Sequence, residues 1–276
     1  MKRRDFLAAG SLGLAALSTA TTASALQPDA LPRRTYTIDF QQNPPREFVE
    51  VRMYTVKDAE KRNQLVEILD KALIPGLNRQ GIKPVGVFVP IPREEQYAQN
   101  VFVAIPHKTI DTFVYANPKL VADEQFRKDA APMFETTSRD PIYTTCDTFL
   151  LYNFPSMPVM ETPELGPDRV FEWRLYRSFN IERNVAKIHM FDEGGELPLF
   201  REIGLNPIFF GDVVAGNKMP ALMYIIACPS MAAHTEAWRV FRDHPKWIAM
   251  RDLPEYADTA TEIDRVVLSP SPGSQI

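Results

Sequence analysis

Cysteine is scarce in this 276-residue chain, where Cys146 and Cys228 are the only two. Two thiols cannot build a disulfide framework, although one bridge is formally open, and both sit in apolar, strand-like runs that suit buried thiols. The sequence contains no CxxC pair, no CxxCH haem-attachment motif and no Walker loop. Redox dithiols, c-type haem and phosphate-cradling nucleotide sites therefore have no support at this level. Basic charge is not in excess either: 31 Lys and Arg face 35 Asp and Glu, for a net charge of −4. That balance has the wrong sign for a phosphate-backbone binder, so no nucleic-acid partner is expected. Histidine is limited to His107, His189, His234 and His244. The last two are ten residues apart, which matches no common zinc spacing, and no metal is expected. Long apolar runs are missing as well, so no stable membrane span is expected.

What is present begins with Lys2, Arg3 and Arg4, followed by an almost uncharged stretch from Leu7 to Ala20 and the small residues Ala23, Ser24 and Ala25. This pattern resembles a twin-arginine export signal over residues 1–25. It implies export of a folded chain, with the periplasm as the expected destination and secretion as the alternative. Setting aside Lys2, Arg3, Arg4 and Asp5 leaves a net charge of −6. A hydrophobic fraction of 45% leaves ample material for a core.

The remaining chain repeats itself. Glu50-Val51-Arg52-Met53-Tyr54 returns as Glu172-Trp173-Arg174-Leu175-Tyr176, Gly81-Ile82-Lys83-Pro84-Val85 as Gly204-Leu205-Asn206-Pro207-Ile208, and Val103-Ala104-Ile105-Pro106 as Ile226-Ala227-Cys228-Pro229. The offset is 122 residues at the first match and 123 at the others, which marks a duplication. The expected organisation is a signal at 1–25, an extension at 26–45, a first unit at 46–154, a proline-rich, stiff linker at 155–168, a second unit at 169–269 and a loose tail at 270–276.

Each unit reads strand, helix, strand, strand, helix, strand. In the first, alternation predicts a strand over Phe48 to Val56, and Leu65, Ile68, Leu69, Ala72, Leu73 and Leu77 predict a helix over Asp58 to Asn78. Strands follow at Lys83 to Val89 and Asn100 to Ile105. A looser helical region over Thr109 to Phe134 is expected to break near Asn117-Pro118, before a closing strand at Thr145 to Tyr152. In the second unit the same order predicts strands at Val170 to Arg177, Ile208 to Val213, Leu222 to Ala227 and Thr261 to Leu268. Its helices are expected at Glu182 to Phe191, Leu197 to Glu202 and Ala232 to Arg242. A βαββαβ unit covers one sheet face with helices and leaves the other apolar face bare. Two copies can bury those bare faces against each other.

Two Glu-x-Arg-x-Tyr openings, the following helix that leads to Gly81 or Gly204, and the run Trp238-Arg239-Val240-Phe241-Arg242-Asp243-His244-Pro245-Lys246-Trp247 together resemble the NIPSNAP family of the dimeric α+β barrel superfamily. The resemblance spans both units and is stronger in the second. It implies an α+β fold in which two tandem ferredoxin-like (βαββαβ) units form a barrel-type pseudo-dimer. There are departures: Val85-Gly86-Val87-Phe88 and Ile208-Phe209-Phe210-Gly211 stand where the family carries a tryptophan-bearing strand. Asn117-Pro118-Lys119-Leu120 occupies the place of His244-Pro245-Lys246-Trp247. The family fixes no reaction. Related barrels include monooxygenases, lactone isomerases and haem enzymes, an analogy of fold only.

Residues two apart on a strand share a face, so Glu50, Arg52 and Tyr54 lie together, as do Glu172, Arg174 and Tyr176. If that face meets the helices, each Glu-Arg pair is a satisfied ion pair. If it lines the barrel, the pairs could hold a carboxylate or phenolate beside a tyrosine hydroxyl. Val51, Met53, Trp173 and Leu175 take the opposite face and read as core. The segment from Trp238 to Trp247 offers flat aromatic walls with Arg242 as an anion anchor, or serves as a hydrophobic plug. The residues assigned to chemistry are Tyr176, His244 and Arg174, and those assigned to ligand binding are Trp238, Arg242, Trp247 and His189. The expected activity is open between two classes: a small-molecule monooxygenase or isomerase acting on a ring-bearing substrate, and a non-catalytic binding or interaction scaffold. No cofactor is expected, with haem as the alternative carried by the superfamily likeness. A homodimer or higher homo-oligomer is compatible with the exposed helices.

Overall fold

The computed structural model describes residues 45–276. The export signal and most of the N-terminal extension lie outside the described residues. Within them, the first copy contains β1 (Phe48–Thr55), α1 (Ala59–Ile68), a π-helical turn (Leu69–Leu73), α2 (Ile74–Arg79), β2 (Gly86–Pro90) and β3 (Asn100–His107). It continues through α3 (Ile110–Ala122), α4 (Glu124–Asp129), α5 (Ala131–Phe134) and β4 (Thr145–Asn153). The second copy follows with β5 (Val170–Arg177), α6 (Ile181–Asp192), α7 (Glu196–Glu202), β6 (Asn206–Ala215), β7 (Ala221–Cys228), α8 (Met231–Asp243), α9 (Pro245–Arg251) and β8 (Glu262–Pro270).

Local chemistry repeats between the copies. Asp58 caps α1 by accepting from Lys61 N, and Asn180 caps α6 by accepting from Arg183 N. Thr109 and Ser230 cap α3 and α8 in the same way. After the first helical region of each copy, Gly81 (φ 78°) and Gly204 (φ 84°) take the left-handed conformation that turns the chain toward the next strand.

The eight strands form one closed barrel in the order β1-β3-β2-β8-β5-β7-β6-β4, with β4 returning to β1. All pairings are antiparallel. The copies join at two seams. At β2–β8, Phe88 faces Pro270 and Pro90 faces Leu268. At β4–β6, Tyr152 faces Asp212 and Asn153 faces Gly211. A Cβ on Gly211 would stand 2.8 Å from Leu151 Cβ, so the second seam needs glycine there. Closure occurs within one chain, through the described linker, which is itself packed: Met157 and Met160 are buried, and Glu161 N donates to Ile208 O.

Alternation decides which face goes where. Val49, Val51, Phe171, Trp173 and Leu175 point into the barrel with Phe88, Phe102, Phe149, Phe209 and Met223, and Met53 packs against that cluster. Burial of each such side chain contributes about 1.5–3 kcal/mol. The even-numbered set, Glu50, Arg52 and Tyr54 with Glu172, Arg174 and Tyr176, points outward under the helices. Of the two alternatives for the Glu-Arg-Tyr faces, the helix-covered one is present.

Several expectations are corrected. Pro118 lies inside α3 and does not end it; the proline forfeits one backbone bond, and the break comes at Asp123, whose carboxylate caps α4 by accepting from Phe126 N. The tail at 270–276 is not loose. Gln275 N donates to Val85 O, Ser271 Oγ donates to Asp70, and Ile276 is buried in the barrel cluster. Cys228 is buried, but Cys146 is only half-buried, and both are free thiols.

Candidate functional site

The outward face of β5 carries an acid whose every oxygen is engaged. Arg174 Nε and Nη2 both donate to Glu172 Oε1 at 2.8 Å. Oε2 of the same carboxylate lies 2.7 Å from His234 Nε2 and accepts from Trp238 Nε1 at 2.5 Å. An imidazole facing a carboxylate donates, which places the His234 proton on Nε2 and leaves its buried Nδ1 without a hydrogen-bond partner among the described residues. Burial works against the ionised form of Glu172. The His234 hydrogen bond and the Arg174 charge outweigh it, and the carboxyl is held below the ordinary carboxylate range. Glu172 is thus a fixed anion rather than a proton acceptor.

Arg174 extends this network. Its guanidinium carbon stands 3.8 Å above the Trp238 ring, and its Nη1 donates to Tyr176 Oη at 3.0 Å. Tyr176 Oη lies 3.3 Å from Tyr224 Oη. Burial raises the Tyr224 phenol well above its usual value, so that hydroxyl stays protonated.

Around this floor lies a cleft of about 510 Å³ lined by Arg174, Tyr176, Trp238, Phe241, Arg242 and Trp247, with Lys187 and Glu196 beside them. Lys187 Nζ is 3.2 Å from Glu196 Oε2, and both side chains are buried. Burial raises the Glu196 carboxyl above its ordinary value, and the Lys187 charge opposes the shift without cancelling it. A carboxyl biased toward neutrality at the wall of a cleft is the group there best suited to take and return a proton. Arg93, Arg242 and Arg265 form the exposed rim. The side chains of Arg242 and Arg265 make no hydrogen bond or ion pair among the described residues; that of Arg93 donates to Met231 Sδ at 3.7 Å. Arg93 comes from the first copy, in the loop after β2, so the cleft uses both halves of the chain.

Five of the seven residues assigned from sequence therefore meet in one cleft: Arg174, Tyr176, Trp238, Arg242 and Trp247. Two do not. His244 caps α9, where its Nδ1 accepts from Lys246 N and its Nε2 lies 3.7 Å from Glu202. His189 is buried against Tyr256, with Nδ1 2.8 Å from the phenol oxygen. Sequence reasoning missed Lys187, Glu196 and the placement of His234 on Glu172. The one available signal was the Gly194-Gly195 interruption. Gly195 takes φ 104° and swings α7 so that its first residue, Glu196, faces Lys187 of α6.

The first copy holds a parallel cluster of different character. Arg52 Nε donates to Glu50 Oε1 at 2.6 Å, and Glu50 Oε2 is 3.0 Å from His107 Nε2. His107 ends β3, whereas His234 belongs to α8, so the two copies bring imidazole to the same carboxylate from non-equivalent positions. Asn117 Oδ1 accepts from Arg52 Nη2 at 3.0 Å. By the repeat offset, Leu65 and Leu73 occupy the places of Lys187 and Glu196, and both leucines are buried.

No family model matches the chain, and no curated protein matches it. Solved structures do. A monooxygenase candidate from Lactobacillus acidophilus is similar at TM-score 0.55 and 10% identity, over 82% of this chain and 94% of that one. Another from Fusobacterium nucleatum is similar at TM-score 0.54 and 9% identity, over 82% and 92%. A NIPSNAP family protein from Agrobacterium tumefaciens matches at 15% identity and TM-score 0.35, covering 39% of this chain and 98% of that one. The first two likenesses establish the dimeric α+β barrel fold; at such identities they carry no reaction. Among the described residues no helix is long and apolar enough to cross a membrane, and no cluster of metal-ligating side chains is present.

Proposed function

We propose that this is an exported protein of NIPSNAP type whose second-copy cleft binds a small, ring-bearing anion and moves a proton on it. Aromatic walls at Trp238, Phe241 and Trp247 accept the ring, and the rim arginines accept the anionic group. Glu196 takes a proton from an acidic carbon, Lys187 stabilises the carboxylate before transfer, and Arg174 with Tyr176 faces the negative charge that develops on the substrate oxygen. Return of the proton to a different carbon is an isomerisation. Capture of the carbanion by dioxygen is the first step of a monooxygenation. The reading needs no resident cofactor. His234 Nε2 is committed to Glu172, so a haem iron would find no free imidazole Nε2 in the cleft. The observation that carries the proposal is the convergence of a buried carboxyl, paired with Lys187, and two arginine side chains without partners among the described residues on one aromatic cleft.

A non-catalytic binding role is the second reading. It is favoured by the full engagement of Glu172 and by the position of His244 outside the cleft. Phenylpyruvate separates the two, since it is anionic, carries a ring and has an acidic benzylic C–H. Proton exchange at that carbon in heavy water, followed by NMR, should be accelerated by the protein and fall about 100-fold or more in Glu196→Gln. Binding without accelerated exchange assigns a binding module; absence of binding to any aryl acid refutes both.

A further inference from the structure

The first copy has its own cleft, of about 370 Å³, between β1 and the helices α3, α4 and α5. Its walls are Leu69, Leu73, Leu120, Val121, Phe126 and Phe134, and its floor is the Glu50–Arg52–Tyr54 row. Every charge on that floor is already answered. Arg52 donates to Glu50, Asn117 and, at 3.4 Å, to Tyr54 Oη, while Glu50 also holds His107. No cation besides Arg52 belongs to the lining, and at the mouth Arg127 and Lys128 are matched in number by Glu124 and Glu135, in contrast to the arginine rim of the second cleft. Two polar groups in the lining are still unused: neither the Asn117 side-chain amide nitrogen nor the Tyr143 hydroxyl has a hydrogen-bond partner among the described residues. Both can donate a hydrogen bond. The π-helical turn at Leu69–Leu73 supplies two of the wall leucines, and such turns displace a helix face locally and recur at binding sites. Val121 and Phe134 remain 57% and 50% exposed at the mouth, an apolar edge flanked by Glu124, Arg127, Lys128 and Glu135.

We propose that this cleft is a second, separate binding site that takes a neutral, largely apolar small molecule with one hydrogen-bond-accepting oxygen, such as a cyclic ketone. The two copies of the duplicated site then select ligands of opposite character. An anion is disfavoured in the first cleft because the charge of the only guanidinium in its lining is already answered by Glu50, and a neutral ligand in the second leaves the rim arginines unanswered. This inference does not depend on catalysis in the second cleft.

Cys146 makes the proposal testable. It lines the first cleft and is half-buried, whereas Cys228 is buried and its thiol is pushed up to about 12 by burial. Of the three tryptophans, Trp238 and Trp247 line the second cleft and Trp173 points into the barrel, so none lines the first cleft. With the full chain, 1-tetralone should slow alkylation of Cys146 by N-ethylmaleimide, read by peptide mass, at least tenfold at saturation and leave tryptophan emission unchanged. Phenylpyruvate should do the reverse. Phe134→Ala, at a half-exposed mouth position, should weaken 1-tetralone about tenfold, and Val121→Arg should admit phenylpyruvate to the first cleft. A thermal shift with 1-tetralone that disappears in Phe134→Ala gives a second reading that does not require Cys146 to react. Equal protection by both probes overturns the proposal. So does the absence of both protection and thermal shift at millimolar 1-tetralone.

Discussion

Replacing Lys187 and Glu196 together with leucine installs the residues that the first copy carries at the same places. Each single change breaks a buried pair. Glu196→Leu strands an ammonium group that is only 5% exposed, at an expected cost of about 3 kcal/mol. Lys187→Leu leaves a carboxyl already biased toward its neutral form, so the cost falls to about 1–2 kcal/mol. If the two effects were independent, the double variant would lose about 4–5 kcal/mol. The expectation is different. With both polar groups gone, two apolar side chains replace a desolvated pair, and the double variant should lie within about 1 kcal/mol of wild type. Urea unfolding at pH 7, with equal slopes for the four proteins, measures the cycle. Proton exchange on phenylpyruvate, measured on the same proteins, should be lost in the double variant. A double variant as unstable as the sum of its parents would refute the claim that the pair is kept for chemistry rather than for folding.

Four further outcomes are expected. Glu172→Gln should destabilise by about 3 kcal/mol at pH 7, because it removes the anion that offsets buried Arg174. Glu50 and Glu172 are both held below their ordinary value of 4.5, so their contribution is present above that pH and is lost as pH falls through the folded values. The acid limb of an unfolding profile should therefore flatten in the Glu172 variant. Glu196 behaves in the opposite sense: its raised value gives stability that is complete below 4.5 and lost as pH rises through the folded value. Glu196→Gln should remove that loss, and an unchanged neutral limb in a pH series would contradict the assignment. Arg242→Ala should weaken phenylpyruvate about tenfold by calorimetry while moving stability by less than about 0.5 kcal/mol, since Arg242 is exposed and unpaired. Ile276→Ala should cost about 2–3 kcal/mol in urea, whereas a loose tail would show no change.

Much of the fold could be read because strand alternation and duplication constrain it jointly. Glu50, Arg52 and Tyr54 had to share a face, and their return at 172, 174 and 176 fixed the same register twice. What alternation could not say is which face the helices cover, because both faces are rich in large side chains. Pro118 misled because a proline in the exposed middle of a helix costs one bond and the turn beyond it can still close. The tail misled because Ser, Pro and Gly composition describes backbone freedom, not the socket at Val85 and Asp70 that receives it. In the site, aromatic and arginine spacing along α8 and α9 brought Trp238, Arg242 and Trp247 into one cleft with Arg174 and Tyr176. Lys187 and Glu196 stayed hidden because their pairing depends on a glycine kink, which sequence separation does not encode. His189 and His244 looked like chemistry because histidine often is; one packs on a phenol and the other caps a helix.

Among the described residues every strand has a neighbour on both sides, so those strands leave no free margin onto which a strand from another molecule could be added. Self-association of the described residues would therefore use helical or loop surfaces. Along α3, Ile110, Val114, Tyr115 and Val121 stand out to solvent as the apolar stretch through which it could do so. An assembly built that way would set the first-copy cleft mouth beside its contact and leave the arginine-rimmed one open to the surrounding fluid.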